Sequence, residues 1–378
     1  MPPTVLQVLP ALESGGVERG TVDIARALAG AGWNPVVVSA GGRMVPELEA
    51  AGARHVAFPV GSKNPLAWRR NVSRLLDTVR RHRVDIIHAR SRMPAWIALR
   101  AARLTGCLFV TTFHGRYGDA NLLKKRYNSI MSRGDRVIAI SDHVAAEIQR
   151  RYGIVPPRLC TIHRGIDLGA HGADRVAQDR VAALAGEWAV PRDTPVIMLP
   201  ARVTRWKGHE LLVNALARIR TLAWHCLMVG PWDERRGFSA RLQSRISELG
   251  LAPRITMTGQ CDDMPAACLL ADAVVSASLD PEPFGRVIVE ARVAGRRVIA
   301  GNHGGAREIL AGDAGGVLVE PGNAAALADG IAAALAAVET AGTVVPAPGR
   351  MLETYSMTTM CSRTLELYDD LLAARSGR

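Results

Sequence analysis

Two cations, Arg202 and Lys207, stand five residues apart in PARVTRWKGHELL, directly after an apolar run that reads as a strand. A guanidinium offers a planar fork for bidentate contacts and an ammonium a compact charge, so a turn that converges them suits a diphosphate. Each such group is worth about 3–4 kcal/mol of stabilisation for charge developing on a departing phosphate. Further on, DPEPFGRVIVEA carries carboxylates at Glu282 and Glu290, on either side of a helix start near Gly285. The backbone N–H groups of Phe284, Gly285, Arg286 and Val287 at such a start attract phosphate. A carboxylate repels phosphate but suits hydroxyls. Glu290, in the second turn, is placed like the acidic residue that holds a ribose, and Glu282 can accept from hydroxyls on the far side of a diphosphate. Nothing in the spacing sets the two face to face across a scissile bond, as a hydrolytic pair requires.

The first half of the chain adds weaker signals. Gly15 and Gly16 follow the first strand-like run and precede a helical one. Glycine permits close backbone approach, and the helix start offers free N–H groups to an anion. The same pair equally suits a tight strand–helix turn, and LESGGVERG lacks the GxGxxG of a dinucleotide fingerprint. His114 follows CLFVTTF; a single histidine after a strand is more often packed or on the surface than functional.

The elements that must position these residues are legible as alternation. Strand-like runs at 4–9, 35–40, 84–89, 107–114, 135–141 and 159–164 are separated by longer helical periods. The pattern restarts with TPVIMLPA at 194 and continues through 224–230, 254–259, 272–278, 296–301 and 315–320. Continuous apolar strands between amphipathic helices mean parallel sheets covered on both faces. The expected architecture is therefore α/β, with an N-terminal Rossmann-like domain over 1–190 and a second over 191–350. Closing helices over 351–378 are expected to pack back on the first domain. Open α/β sheets bind ligands outside the carboxyl ends of their strands, so the default site is a cleft between two facing domains.

A chain of 378 residues is long enough for about two domains. Six cysteines are scattered without a CxxC pair, which reads as reduced thiols in a cytosolic protein. The N-terminus lacks a basic leader, and no run approaches the roughly 18 uninterrupted apolar residues of a membrane span. Residues 1–190 hold 27 Lys and Arg against 15 Asp and Glu, whereas residues 191–378 hold 20 of each. The excess charge therefore lies wholly in the first half. No nucleic-acid-binding signature accompanies it, and an anionic membrane surface fits it as well as a plain solvated face does.

SASLDPEPFGRVIVEARVAGRRVIAGNHGGAREIL resembles the nucleotide-sugar signature of family 4 retaining glycosyltransferases of the GT-B fold. LESGGVERGTVDIARAL, TFHGRY, AISDHVAAEI, IHRGIDL, ARVTRWKG, LMVGP and GGVLVEPGNAAALADGI continue the likeness in the family's order along nearly the whole chain. The resemblance implies that Arg202 and Lys207 hold the donor's diphosphate, Glu290 its ribose and Glu282 its sugar hydroxyls, beside the N–H groups of 284–287. Gly15 and Gly16 would close on the phosphates, and His114 would face the donor sugar or the acceptor. There are departures. His163-Arg164 replaces the family's usual Pro-Asn, and HARSR at 88–92 stands where His-Ala-His is common, which suits an anionic acceptor. DPE at 280–282 mimics a metal-binding Asp-x-Asp, but Pro281 fixes the turn and the family normally uses the Arg/Lys clamp instead, so neither metal nor cofactor is expected.

The implied activity is metal-independent transfer of a sugar from a nucleoside-diphosphate sugar to an acceptor hydroxyl, with retention. A glycan or lipid-linked acceptor in lipopolysaccharide-core or polysaccharide biosynthesis fits, in a cytoplasmic protein peripheral to the inner face of the membrane. The alternatives are a GT-B-shaped sugar-nucleotide epimerase and a non-catalytic partner subunit of another transferase.

Overall fold

The computed structural model describes residues 1–13, 15–62, 64–118, 121–233 and 237–376. They form two compact α/β units. One takes Met1–Gly165 with Met357–Arg378, the other Ile166–Ser356.

The first unit is built on β1 (Thr4–Val8), β2 (Asn34–Ser39), β3 (Arg54–Ala57), β4 (Ile86–Ala89), β5 (Leu108–Phe113), β6 (Arg136–Ala139) and β7 (Leu159–Thr161). Their order is β3-β2-β1-β4-β5-β6-β7, and every pair is parallel. The inner strands are buried on both faces, which is why they read as unbroken apolar runs. The exception is β3, RHVA, an edge strand without one fully buried residue. Its periodicity is too weak to disclose it in the sequence. Val5, Ile86, Val110 and Ile138 pack against Ile24 and Leu28 of the helix Gly16–Gly30. Met360, Leu367, Tyr368 and Leu371 of the C-terminal helix Met357–Ser376 join the same core. Each buried leucine there contributes roughly 1.5–3 kcal/mol. The Tyr368 hydroxyl also lies 2.6 Å from His88 Nδ1.

The second unit repeats the plan with β8 (Val196–Pro200), β9 (His225–Val229), β10 (Ile255–Gly259), β11 (Ala273–Ser276), β12 (Arg297–Gly301) and β13 (Gly316–Val319). The order is β10-β9-β8-β11-β12-β13, again all parallel. Ile197, Leu199, Leu212, Leu216, Met228 and Val275 lie in its core. The helix Ala324–Ala341 is long and apolar enough, by length and composition, to cross a membrane. In the fold, its Leu327, Ile331 and Leu335 are instead buried in this core.

The units divide at Gly165 and Ser356 rather than at 190 and 350. The helix Gln178–Glu187 belongs to the second unit, where Arg180 forks onto both oxygens of Asp263 at 2.8 and 2.6 Å. The Ile166 N–H donates to the Tyr355 carbonyl at 2.9 Å, joining the two ends of that unit. Divided this way, the first unit holds 28 Lys and Arg against 14 Asp and Glu, and the second 19 against 21. The asymmetry is sharper than the sequence halves suggested.

In each sheet the strand order reverses once, between β1 and β4 and between β8 and β11. The crevice outside the carboxyl ends at such a reversal is where open α/β sheets bind ligands.

Candidate functional site

In the second unit that crevice is made by the loops after β8 and β11. The first loop carries Arg202 and a single 3-10 turn, Arg205–Lys207, ended by Gly208 in the left-handed region at φ +74°. A Cβ on Gly208 would sit 1.9 Å from the Ala277 carbonyl oxygen, so glycine lets this turn lie against the end of β11. The Leu279 N–H donates to the Trp206 carbonyl at 2.7 Å, tying the two loops together. Lys207 Nζ donates to Glu282 Oε1 at 2.7 Å and lies 4.2 Å from the centre of the Trp206 ring. The Ser278 hydroxyl donates to the same carboxylate oxygen. Arg202 is exposed and, among the described residues, forms no ion pair.

Gly285, at φ +102°, precedes the helix Arg286–Val293, whose N-terminus has no side-chain cap. The loop before it rests on a second glycine pair. A Cβ on Gly305 would meet the Phe284 carbonyl oxygen at 1.8 Å, and one on Gly304 the Glu282 carbonyl oxygen at 2.5 Å. The Gly305 N–H donates to that Glu282 carbonyl at 2.8 Å. The Phe284 ring is buried edge-on against Tyr355, centroids 5.6 Å apart, which leaves only its backbone for a ligand. Glu290, also buried, accepts from Arg286 Nε at 2.6 Å and lies 3.5 Å from His171 Nε2. Burial by itself would raise its carboxyl, but the His171 hydrogen bond and the Arg286 charge outweigh this and hold it below the usual carboxylate range. Both contacts fall on Oε1. Sequence reasoning did not single out Trp206, Ser278, His303 and His171. The His303 ring nitrogen Nε2 lies 3.0 Å from the Ser278 carbonyl. No motif announces these residues, although NHGG following EPFG was the available cue for His303.

In the first unit, Gly15 (φ +133°) starts the helix Gly16–Gly30 with no side-chain cap, and His114 follows β5. His114 Nδ1 lies 3.0 Å from Arg164 Nη1. A guanidinium can only donate, so Nδ1 accepts and the ring proton sits on Nε2. Burial, reinforced by the charges of Arg164 and Arg90, pushes His114 well below the usual histidine range. It is a neutral imidazole, and among the described residues its buried Nε2–H has no partner. A pocket at the carboxyl ends of β4 and β5 is lined by this ring, His88, Arg90, Thr112, Arg164 and Thr364, among others.

Comparison with known proteins agrees with both units. Residues 14–170 match the family model described as Glycosyltransferase Family 4, and residues 183–341 match Glycosyl transferases group 1. A glycosyltransferase from Rickettsia africae ESF-5 is 35% identical, with 98% of this chain and 99% of that one superposing at a TM-score of 0.89. HepE from Anabaena, solved in complex with UDP, superposes at 0.83 over 97% of this chain and 100% of its own, at 23% identity. Among curated proteins, D-inositol 3-phosphate glycosyltransferase 1 of Catenulispora acidiphila is 27% identical over 62% of this chain. The aligned stretch spans 60% of that relative, and 50% and 49% of two further D-inositol 3-phosphate glycosyltransferases. The two sheets are thus the Rossmann-like domains of the GT-B fold, and the chain belongs to the group 1 glycosyltransferases.

Proposed function

We propose that this glycosyltransferase moves a sugar from a nucleoside-diphosphate sugar to an acceptor hydroxyl, with retention of configuration and without a metal. The observation that carries the reading is the placement of Arg202, Lys207 and Glu282 at the carboxyl ends of β8 and β11, beside the helix start at Gly285. Arg202 and Lys207 bind the diphosphate and stabilise its growing charge. The N–H groups at 284–287 face the phosphates, Glu282 accepts from sugar hydroxyls, and Glu290 Oε2 accepts from the ribose. The bond from the anomeric carbon to the diphosphate oxygen breaks through an oxocarbenium-like transition state. The acceptor oxygen arrives on the same face and passes its proton to the leaving phosphate. The protein's contribution is positioning and charge stabilisation.

The solved relatives that bind UDP and UDP-glucose support a uridine donor. The curated relatives named for D-inositol 3-phosphate support an acceptor that carries a phosphate. The basic first unit suits an anionic glycan or lipid-linked acceptor of cell-surface biosynthesis, lipopolysaccharide core or polysaccharide, reached at the inner face of the membrane.

The test is nucleotide release from UDP-, GDP- and ADP-sugars, with and without a chelator, and the anomeric outcome read by NMR. Chelator-sensitive turnover would overturn the metal-free mechanism, and an inverted product would overturn retention.

A further inference from the structure

His171 ends the short helix Leu168–His171, which packs on the helix Arg286–Val293 that carries Glu290. His171 is 7% exposed and Glu290 4%. The ring meets an oxygen at each nitrogen: Nδ1 lies 2.9 Å from the Asp167 carbonyl, and Nε2 lies 3.5 Å from Glu290 Oε1. A carbonyl can only accept, so Nδ1 carries a proton. The neutral ring with that proton would turn its Nε2 lone pair on an ionised carboxylate. Flipping the ring would set carbons against both oxygens. Only the imidazolium, protonated on both nitrogens, satisfies both acceptors. Burial by itself would lower this histidine, but the Glu290 carboxylate and the Asp167 carbonyl outweigh it and raise it above the usual value, against the Arg286 charge.

The other groups around the pair do not replace that proton. Arg286 reaches the same Oε1 at 2.6 Å from Glu290's own helix, but its side chain is 43% exposed, where water screens its charge. Cys268, on the helix Met264–Leu270, is a neutral thiol, pushed up by burial and by the Glu290 charge. The Asp167 carboxylate accepts from the Ala170 N–H at 3.2 Å, and Asp174 and Arg175 pair with each other at 3.2 Å. The enclosed partner of the Glu290 carboxylate is therefore the histidine.

We infer that His171, as an imidazolium, is a positioning residue that holds Glu290 for the ribose of the donor, so that ribose recognition weakens when this ring loses its proton. The inference rests on the assignment of Glu290 to the ribose under the proposed function. With Nδ1–H kept by the Asp167 carbonyl, loss of the other proton points a lone pair at Oε1 and repels the carboxylate from its place. A raised histidine is charged below its folded value and neutral above it, so the grip is complete in acid and is lost as pH rises through a value above about 6.5.

Calorimetric titration of the full chain with UDP and with its 2′,3′-dideoxy form, which lacks both ribose hydroxyls, reads this between about pH 6 and about pH 9. The GDP and ADP pairs serve if UDP does not bind. The ratio of the two affinities isolates the hydroxyls, because phosphate ionisation and any general loss of structure affect both ligands alike. The wild type is expected to prefer UDP about ten- to a hundredfold in acid, and this preference should fall about three- to tenfold as pH rises. His171→Gln keeps an N–H donor near the place of Nε2 that does not titrate, so its preference should be constant. His171→Leu has no donor there and should show the reduced preference at every pH. A wild-type preference that is constant with pH, a His171→Gln preference that still falls, or an undiminished preference in His171→Leu would overturn the role of His171. Equal binding of the two ligands by the wild type in acid would instead remove the ribose assignment of Glu290, and the inference with it. Binding of no nucleoside diphosphate would remove the donor reading and the inference together.

Discussion

Lys207 is committed twice. It neutralises Glu282 at 2.7 Å and stacks on Trp206, whereas Arg202 stands exposed. Their removal should therefore differ in stability and agree in rate. Arg202→Ala is expected to lower turnover about a hundred- to a thousandfold with an unchanged melting curve. Lys207→Ala should lose a similar factor and also about 1–3 kcal/mol, because among the described residues Glu282 then keeps only Ser278 as a side-chain partner. Steady-state rates and urea unfolding check both, and wild-type turnover in Arg202→Ala would remove the clamp mechanism. A second expectation at this scale concerns pH. Burial, together with the Arg90 charge, pushes His88 well below the usual histidine range, and His114 lies low as well. The unfolded chain then binds more protons below the ordinary histidine value, so the stability that these rings contribute is complete above about pH 6.5 and falls on acidification toward their folded values. The loss should approach about 1.4 kcal/mol per pH unit for each ring. Denaturation of His88→Gln, which retains polar atoms for Tyr368 and Thr112, should show a smaller acid loss than wild type. An equal loss would refute the assignment.

At the scale of elements, the loop that carries Glu282 and Phe284 is held by glycines that side chains would displace. Gly305→Ala places a methyl against the Phe284 carbonyl. It should cost about 1–3 kcal/mol and weaken nucleoside diphosphate binding, since the loop bearing Glu282 must move. Gly349→Ala meets nothing within 4 Å and serves as the control, changing neither. Unfolding midpoints and nucleotide titration read the pair, and equal behaviour would show that the loop does not rest on Gly305. The helix behind the loop is anchored by Arg292, wholly buried, which donates to both Asp313 oxygens and to the carbonyls of Arg296, Val345 and Pro346. In sequence Arg292 is one arginine among many within EARVAG. Only its partners, some of them more than 50 residues away, distinguish it from a surface charge. EPFG and the positions of Glu282 and Glu290 were legible because motif and spacing are local. The Gly304 and Gly305 contacts were not, because they depend on where β12 ends relative to β11.

At the scale of the molecule, the charge excess belongs to the first unit, and so do the most exposed leucines among the described residues. Leu122 and Leu123, 84% and 80% exposed, begin a short helix that continues with Lys124, Lys125 and Arg126. Two apolar side chains beside three cations suit an anionic lipid surface, at about 1 kcal/mol per cation. Leu122→Ser with Leu123→Ser should lower cosedimentation with phosphatidylglycerol vesicles at least several-fold, and high salt should lower it in the wild type. No vesicle binding at either salt would remove the membrane contact.

The residue pattern alone determined the class of fold, the place of Arg202 and Lys207 directly after a strand, and the family likeness. Those depend on local periodicity and on short motifs whose members are neighbours in the chain. Tertiary structure decided what lies between distant residues. It moved the unit boundaries to Gly165 and Ser356 and joined the C-terminal helix to the first core. It also committed Glu282 to Lys207 and Glu290 to Arg286 and His171. Such pairings follow from strand order, and strand order is settled by packing energies summed over the whole sheet rather than by any one segment.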